Sequence, residues 1–283
     1  MTTYTTIVGA EELARHLDDP DWVVFDCRFT LTDPDSGLKA YRAGHIPGAR
    51  YAHLNHDLSS EITATSGRHP LPDPAQLAEK LGQWGVDHHK QVVVYDDSFG
   101  AMACRMWWLL RWLGHENVAL LDGGYPRWLR NKLSVTTDLP AITPAKFEPR
   151  PNDAMWVDTQ YVEQAVGDKQ TLLVDARSED RFNGEREPLD KVAGHVPGSV
   201  NFPFEDNLDL GGTFLSAEEL REVYDELLDG TAPDQVIQMC GSGVTACHSL
   251  IAMEHAGLTG ARLYPGSWSA WITDPGRPVE TGE

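Results

Sequence analysis

Apolar positions along the chain follow two patterns. Short unbroken runs such as "TLLVD" (171–175) and "QVIQM" (235–239) have the length and continuity of strands buried on both faces. Between such runs lie stretches with helical spacing. "SAEELREVYDELL" (216–228) opens with Ser216 and carries Glu219 three positions on, a capping box, and then spaces its apolar residues with a helical period. "TACHSLIAMEHAG" (245–257) reads as a second helix, stopped by Gly257. Alternation of this kind predicts an α/β fold with a mostly parallel sheet flanked by helices. Ligands of such sheets bind beyond the carboxyl ends of the strands, and Cys240 follows the run 235–239 at one such end.

The pattern occurs twice. "AGHIPGA" (43–49) returns as "AGHVPGS" (193–199), and the apolar run ending in Asp-x-Arg, "VVFDCR" (23–28), returns as "LLVDAR" (172–177). "QVVVYDDS" (91–98) matches "QVIQMCGS" (235–242), which sets Asp96 opposite Cys240. "LLDGGYPRW" (120–128) matches "LYPGSWSAW" (263–271). Four blocks in one order at near-constant spacing mean two copies of one domain. The expected division is 1–133 for the first copy, 134–155 for a linker broken by Pro140, Pro144, Pro149 and Pro151, and 156–283 for the second. Features present in both copies read as structural. These are the pairs Asp26/Arg28 and Asp175/Arg177, and the histidines His45 and His195.

Composition narrows the partners. The 283 residues carry a formal net charge of −20, which argues against nucleic acid and anionic membranes. An anionic ligand must therefore be drawn by a local positive site against the global field. No run has the length of a membrane span, and the start of the chain lacks a basic region followed by an apolar stretch. Cytoplasm is the expected location, with Cys27, Cys104, Cys240 and Cys247 as reduced thiols. Neither C-x-x-C nor H-E-x-x-H occurs, so neither a metal nor a cofactor is expected.

Cys240 is the residue with chemistry to explain. It stands between a strand and the small-residue loop Gly241, Ser242, Gly243, Val244, Thr245, which leads into a helix. Gly241 and Gly243 allow a tight curl that turns successive N–H groups towards one point at a helix start, an anion site beside the thiol. Fields of that kind stabilise thiolates, so Cys240 is expected to be ionised at neutral pH, with the hydroxyls of Ser242 and Thr245 as added donors. A lone cysteine at a strand end is more often a small buried hydrophobe, and that reading is kept for Cys27, Cys104 and Cys247.

"CGSGVTA" (240–246), the paired G-H-x-P-G blocks and "DGGYPRW/PGSWSAW" resemble the rhodanese superfamily, and more closely its two-domain thiosulfate and 3-mercaptopyruvate sulfurtransferases, over nearly the whole chain. The resemblance implies two tandem rhodanese-like domains facing each other. The second is catalytic, and the first carries Asp96 in place of the cysteine. It implies a two-step reaction in which Cys240 takes sulfur from a small anionic donor as a persulfide and yields it to a thiol or cyanide acceptor, thioredoxin-like proteins included. It implies that Arg181, in "SEDRFNGE" (178–185), anchors the donor. A second anchoring arginine, common nine positions later in mercaptopyruvate enzymes, is replaced by Asp190, with Arg186 as the nearby substitute. An Asp–His–Ser arrangement described in some relatives maps Ser242 to the serine and His69, in "SGRHPLP" (66–72), to the histidine. Its aspartate falls at Asn55, with Asp57 two residues on, while Arg68 is a further residue of the same cleft. Rival readings are a phosphatase, a non-catalytic sulfur carrier or docking protein, and a purely structural duplicate. The first needs Cys-x5-Arg, and position 246 is Ala246.

Overall fold

The structure, a computed structural model, describes residues 3–282. In chain order the first half contains β1 (Ile7–Val8), α1 (Ala10–Arg15), β2 (Trp22–Asp26), α2 (Ser36–Ala43), β3 (Arg50–Tyr51), α3 (Pro74–Gln83), β4 (Gln91–Tyr95), α4 (Ala103–Trp112), β5 (Val118–Leu121) and α5 (Gly124–Arg130). The second half contains α6 (Thr159–Ala165), β6 (Leu172–Asp175), α7 (Glu179–Phe182), β7 (Val200–Asn201), α8 (Ala217–Leu228), β8 (Val236–Met239), α9 (Ala246–His255), β9 (Arg262–Leu263) and α10 (Ser267–Trp271). Both apolar runs singled out above are strands, and both helical stretches are helices. Ser216 and Glu219 form the reciprocal capping box at the start of α8, and Gly257, at φ +76°, follows the end of α9.

Every pairing within the two sheets is parallel. The first sheet has the order β1-β5-β4-β2-β3 and the second β7-β6-β8-β9. The orders coincide apart from β1, whose place in the second sheet is marked by a parallel bridge from Trp156 to Leu263. In each sheet the chain goes outward from one central strand and crosses back to the other side of it. The switch in the second sheet therefore falls between β6 and β8, whose carboxyl ends lead to Arg177 and to Cys240.

The residues group into two compact units. One comprises the chain up to Ser60, Leu71–Asn152 and Gly211–Thr213, and the other comprises Glu61–Pro70, Asp153–Leu210 and the chain from Phe214 on. Each has its own core. Tyr41, Ile46, Val93, Tyr95 and Trp128 pack in the first, and Val196, Ile237, Met239, Tyr264, Trp268 and Trp271 in the second. The Asp-x-Arg turns are buried ion pairs in both. Arg28 pairs with Asp26 and donates to the Gly44 carbonyl at 2.8 Å, and Arg177 pairs with Asp175 and donates to the Gly194 carbonyl at 2.8 Å. The histidines beside those glycines are satisfied locally. His45 Nδ1 lies 2.8 Å from the Tyr41 carbonyl, and His195 Nδ1 lies 2.8 Å from that of Phe182. Among the described residues no helix is long and apolar enough to cross a membrane.

Candidate active site

Cys240 directly follows β8 and is buried, 2% exposed. Its N–H donates to Ser267 Oγ at 3.1 Å, and its carbonyl accepts from the Trp268 N–H at 3.0 Å. The Gly241 carbonyl accepts from the Ser269 N–H at 2.9 Å, so the strand end is tied to the first turn of α10 on two residues. Gly243 forms the corner of the loop at φ +70°, where a Cβ would lie 2.5 Å from the Pro265 carbonyl oxygen. Both the backbone angle and the space require glycine. Ser242 is buried, and its Oγ shares a 2.7 Å hydrogen bond with Nδ1 of the buried His69.

His69 belongs to residues 61–70, which pack with the second unit although they precede α3 in the chain. The attachment is specific. Arg68 donates its N–H to Ser269 Oγ at 3.1 Å, and Gly67, at φ +76°, leaves no room for a side chain beside the Gly266 carbonyl. The guanidinium of Arg68 then lies over Gly241, where a Cβ would be 2.8 Å from Arg68 Nη2 and 3.5 Å from Arg181 Nη2. Two cations thus flank the residue next to the thiol.

Both cations have internal partners. Arg181 makes bidentate contact with Glu187, Nη2 lying 2.9 Å from each carboxylate oxygen, and reaches Asp190 Oδ2 at 3.2 Å. Asp190 Oδ1 accepts from Arg68 Nη1. Glu187 is fixed further by the N–H groups of Leu189 at 2.9 Å and Asp190 at 3.0 Å. Burial pushes the Glu187 carboxyl up, but those N–H groups and Arg181 outweigh it and hold the group below its ordinary range. Burial likewise opposes the charge of Arg177, yet Asp175, with Glu187 and Cys240 adding to it, holds the guanidinium above its ordinary value.

The structure therefore brings together Cys240, Gly241, Ser242, Gly243, Arg68, His69 and Arg181, with Val244 and Thr245 completing the turn into α9. Arg186 is not part of this group. Its side chain is 72% exposed and faces Asp180 at 3.7 Å, so it does not replace the arginine absent at position 190. Asp57 is taken by Lys80 and by the His53 N–H, both in the first unit. Ser267, Ser269, Glu187 and the pairing role of Asp190 escaped the sequence reading. Ser267 had a signal, since it stands where the first copy has Gly124, and both residues are left-handed, at φ +50° and +54°.

The matching loop of the first copy shows what such a turn does with an anion. Asp96 directly follows β4, fully buried. Its carboxylate accepts four N–H groups at 2.8 Å each, from Ser98 and Gly100 on one oxygen and from Met102 and Ala103 on the other. The first copy thus sets a strand-end anion against convergent amides at the position that Cys240 holds in the second.

Comparison with known proteins places the chain in a family. The Rhodanese-like domain family matches residues 9–131 and 158–274. A Pseudomonas aeruginosa protein named "Probable 3-mercaptopyruvate sulfurtransferase" is 47% identical over 279 residues, covering 98% of each chain. The mouse thiosulfate sulfurtransferase is 32% identical over 279 residues, covering 95% of this chain and 92% of its own. Among solved structures, Escherichia coli SseA, described as a 3-mercaptopyruvate sulfotransferase with the "Rhodanese" fold, superposes with a TM-score of 0.80 at 33% identity, covering 95% of this chain and 100% of that one.

Proposed function

The chain belongs to the rhodanese family and is a sulfurtransferase, and we propose that it carries sulfur from 3-mercaptopyruvate to a thiol or cyanide acceptor as a persulfide on Cys240. The supporting observation is the thiol at the carboxyl end of β8, followed by a residue that lies beneath two guanidinium groups. In the first half-reaction the Cys240 thiolate attacks the donor sulfur. An S–S bond forms, the donor C–S bond breaks, and its electron pair stays on carbon as the enolate of pyruvate, which a proton then quenches. Ser242, hydrogen-bonded to His69, is the group beside the thiol that can donate to the enolate oxygen. Arg181, with Arg68, holds the donor carboxylate and aligns its sulfur. In the second half-reaction the acceptor attacks the outer sulfur, the persulfide S–S bond breaks, and the Cys240 thiolate returns. The acceptor class includes small thiols, cyanide and thioredoxin-like proteins. Four cysteines outside any disulfide suit a reducing cytoplasm.

The donor assignment follows from where the positive charge lies. Thiosulfate is a compact dianion with charge next to the transferred sulfur, and its best site has cations directly after the cysteine. Here those positions are Gly241 and Ser242. Mercaptopyruvate carries one carboxylate away from the sulfur and needs a remote anchor with only a hydrogen-bond donor near the reacting end. The test assays both donors against one acceptor. Cys240→Ser should abolish turnover, whereas Ala at Cys27, Cys104 or Cys247 should leave most of it. The unmodified protein should show the higher kcat/KM for mercaptopyruvate. Turnover surviving Cys240→Ser would overturn the mechanism, and thiosulfate matching mercaptopyruvate would overturn the donor assignment alone. Gly241→Arg is a poor probe of donor choice, because it sets a third cation against Arg68 and Arg181.

A further inference from the structure

The positive charge beside Cys240 is already balanced. Arg68 and Arg181 face Glu187 and Asp190, two cations against two carboxylates. The two carboxylates are held differently. Glu187 is gripped by backbone N–H groups as well as by Arg181, and Arg177 lies 3.5 Å from it, so it belongs to the frame of the loop. The Asp190 carboxylate is 5% exposed, and its described partners are the two guanidiniums alone, one on each oxygen. It bridges them as a bound carboxylate ligand would. It sits on a short side chain whose two torsions set both contacts. Arg68 also keeps a buried Nε that makes no hydrogen bond.

Resting on the sulfurtransferase reading above, we propose that Asp190 is the specificity-determining residue for the donor's charge: it occupies the position of the donor anion in the resting site, and an incoming donor must displace it. A monoanionic donor takes the two guanidiniums over from one carboxylate and adds a single negative charge to the site, because the displaced Asp190 stays tethered to the chain. A dianion adds a second charge next to a thiolate, inside a chain whose net charge is −20. Asp190 therefore lowers the affinity for every anionic donor and penalises dianions most. It discriminates by repulsion, complementing the attraction of Arg181.

Asp190→Asn tests this, because it keeps the shape and removes the charge. KM for mercaptopyruvate should fall about three- to tenfold, the size of one partly exposed charge contact. The gain in kcat/KM should be larger for thiosulfate, so the donor ratio shifts towards the dianion. Asp190→Glu, which keeps the charge, should stay near the unmodified ratio. A readout free of turnover uses the Cys240→Ser protein, in which the dissociation constant for pyruvate should tighten by a similar factor when Asp190→Asn is added. An Asp190→Asn protein with KM and pyruvate affinity unchanged or weakened, and an unmoved donor ratio, would make Asp190 a brace for the two arginines and overturn the proposal. The sulfurtransferase reading fails separately, through turnover that persists without Cys240.

Discussion

Asp96 and Cys240 close the same strand in two copies of one fold, and they differ in what is left for a ligand to do. In the first copy the convergent N–H groups are saturated by a carboxylate that belongs to the chain. In the second the equivalent place carries a thiol, with Ser242, His69 and two arginines arranged about the residues that follow. The left-handed positions differ too. The loop corner is Phe99 in the first copy, at φ +58°, and Gly243 in the second. The residue opening the final helix is Gly124 in the first and Ser267 in the second. The backbone path thus survives exchange of the residues best suited to it, and at the start of the final helix the exchange brings a hydroxyl to the Cys240 N–H. Ser267 adopts an angle that costs a non-glycine residue roughly 1–2 kcal/mol. Its hydroxyl recovers part of that by donating to the Tyr264 carbonyl at 2.8 Å while accepting the Cys240 N–H.

The contrast can be broken at its strongest point. Asp96→Ala leaves four buried N–H groups without their acceptor and should lower the stability of the first unit by about 3–5 kcal/mol, read as a shift of the urea midpoint. Turnover per folded molecule should be retained, and a loss of turnover in fully folded protein would mean that the first copy takes a direct part in the chemistry.

A second difference between the copies is smaller and depends on pH. His115 is fully buried where the second copy has Leu258. Its Nε2 faces the Asn117 carbonyl at 3.2 Å, and among the described residues no group meets the hydrogen-bond geometry at its Nδ1, which is the pattern of a neutral ring. Burial holds it down at about 4. The unfolded chain binds a proton below about pH 6.5 and the folded one does not until about pH 4, so the contribution is fully present above that window and is lost as pH falls through it, about 3 kcal/mol in all. His115→Leu, which copies the second unit, should flatten the fall in the unfolding midpoint between pH 7 and pH 4.5. An unchanged slope would assign the acid sensitivity to other groups.

The smallest effect concerns Ser267. Ser267→Ala keeps the strained angle and loses both hydrogen bonds, a cost of about 1–2 kcal/mol. Ser267→Gly loses the same bonds but relieves the strain, as Gly124 does in the first copy, so it should cost under about 1 kcal/mol. Equal melting temperatures for the two variants would show that the angle carries no strain.

The strand ends and the loop were legible because they are local. An apolar run such as Val236–Met239 and the glycines that follow it state their backbone requirements within a few residues. Arg181 was found through the resemblance, but its partners were not, because Glu187 and Asp190 reach it through a loop without periodicity. Arg186, expected as a nearby substitute anchor, faces Asp180, since nearness in sequence says little about direction in an irregular segment. Position 190 was noted only for the arginine it lacks, and the structure shows an aspartate paired with Arg68 and Arg181. Arg68 and His69 needed long-range folding to reach the loop after Cys240, and no pattern in 61–70 announces which unit that segment joins.

That segment changes what the duplication means for inheritance. Residues 61–70 are encoded within the first copy yet are built into the second. A recombination event that exchanged the copies at the proline-rich linker would deliver the cysteine loop and Arg181 without Arg68 or His69, separating the loop from residues packed against it. Once the segment had changed allegiance the two halves could no longer be shuffled as modules. Selection on sulfur transfer would then act on ten codons that a division by sequence repeat assigns to the first copy.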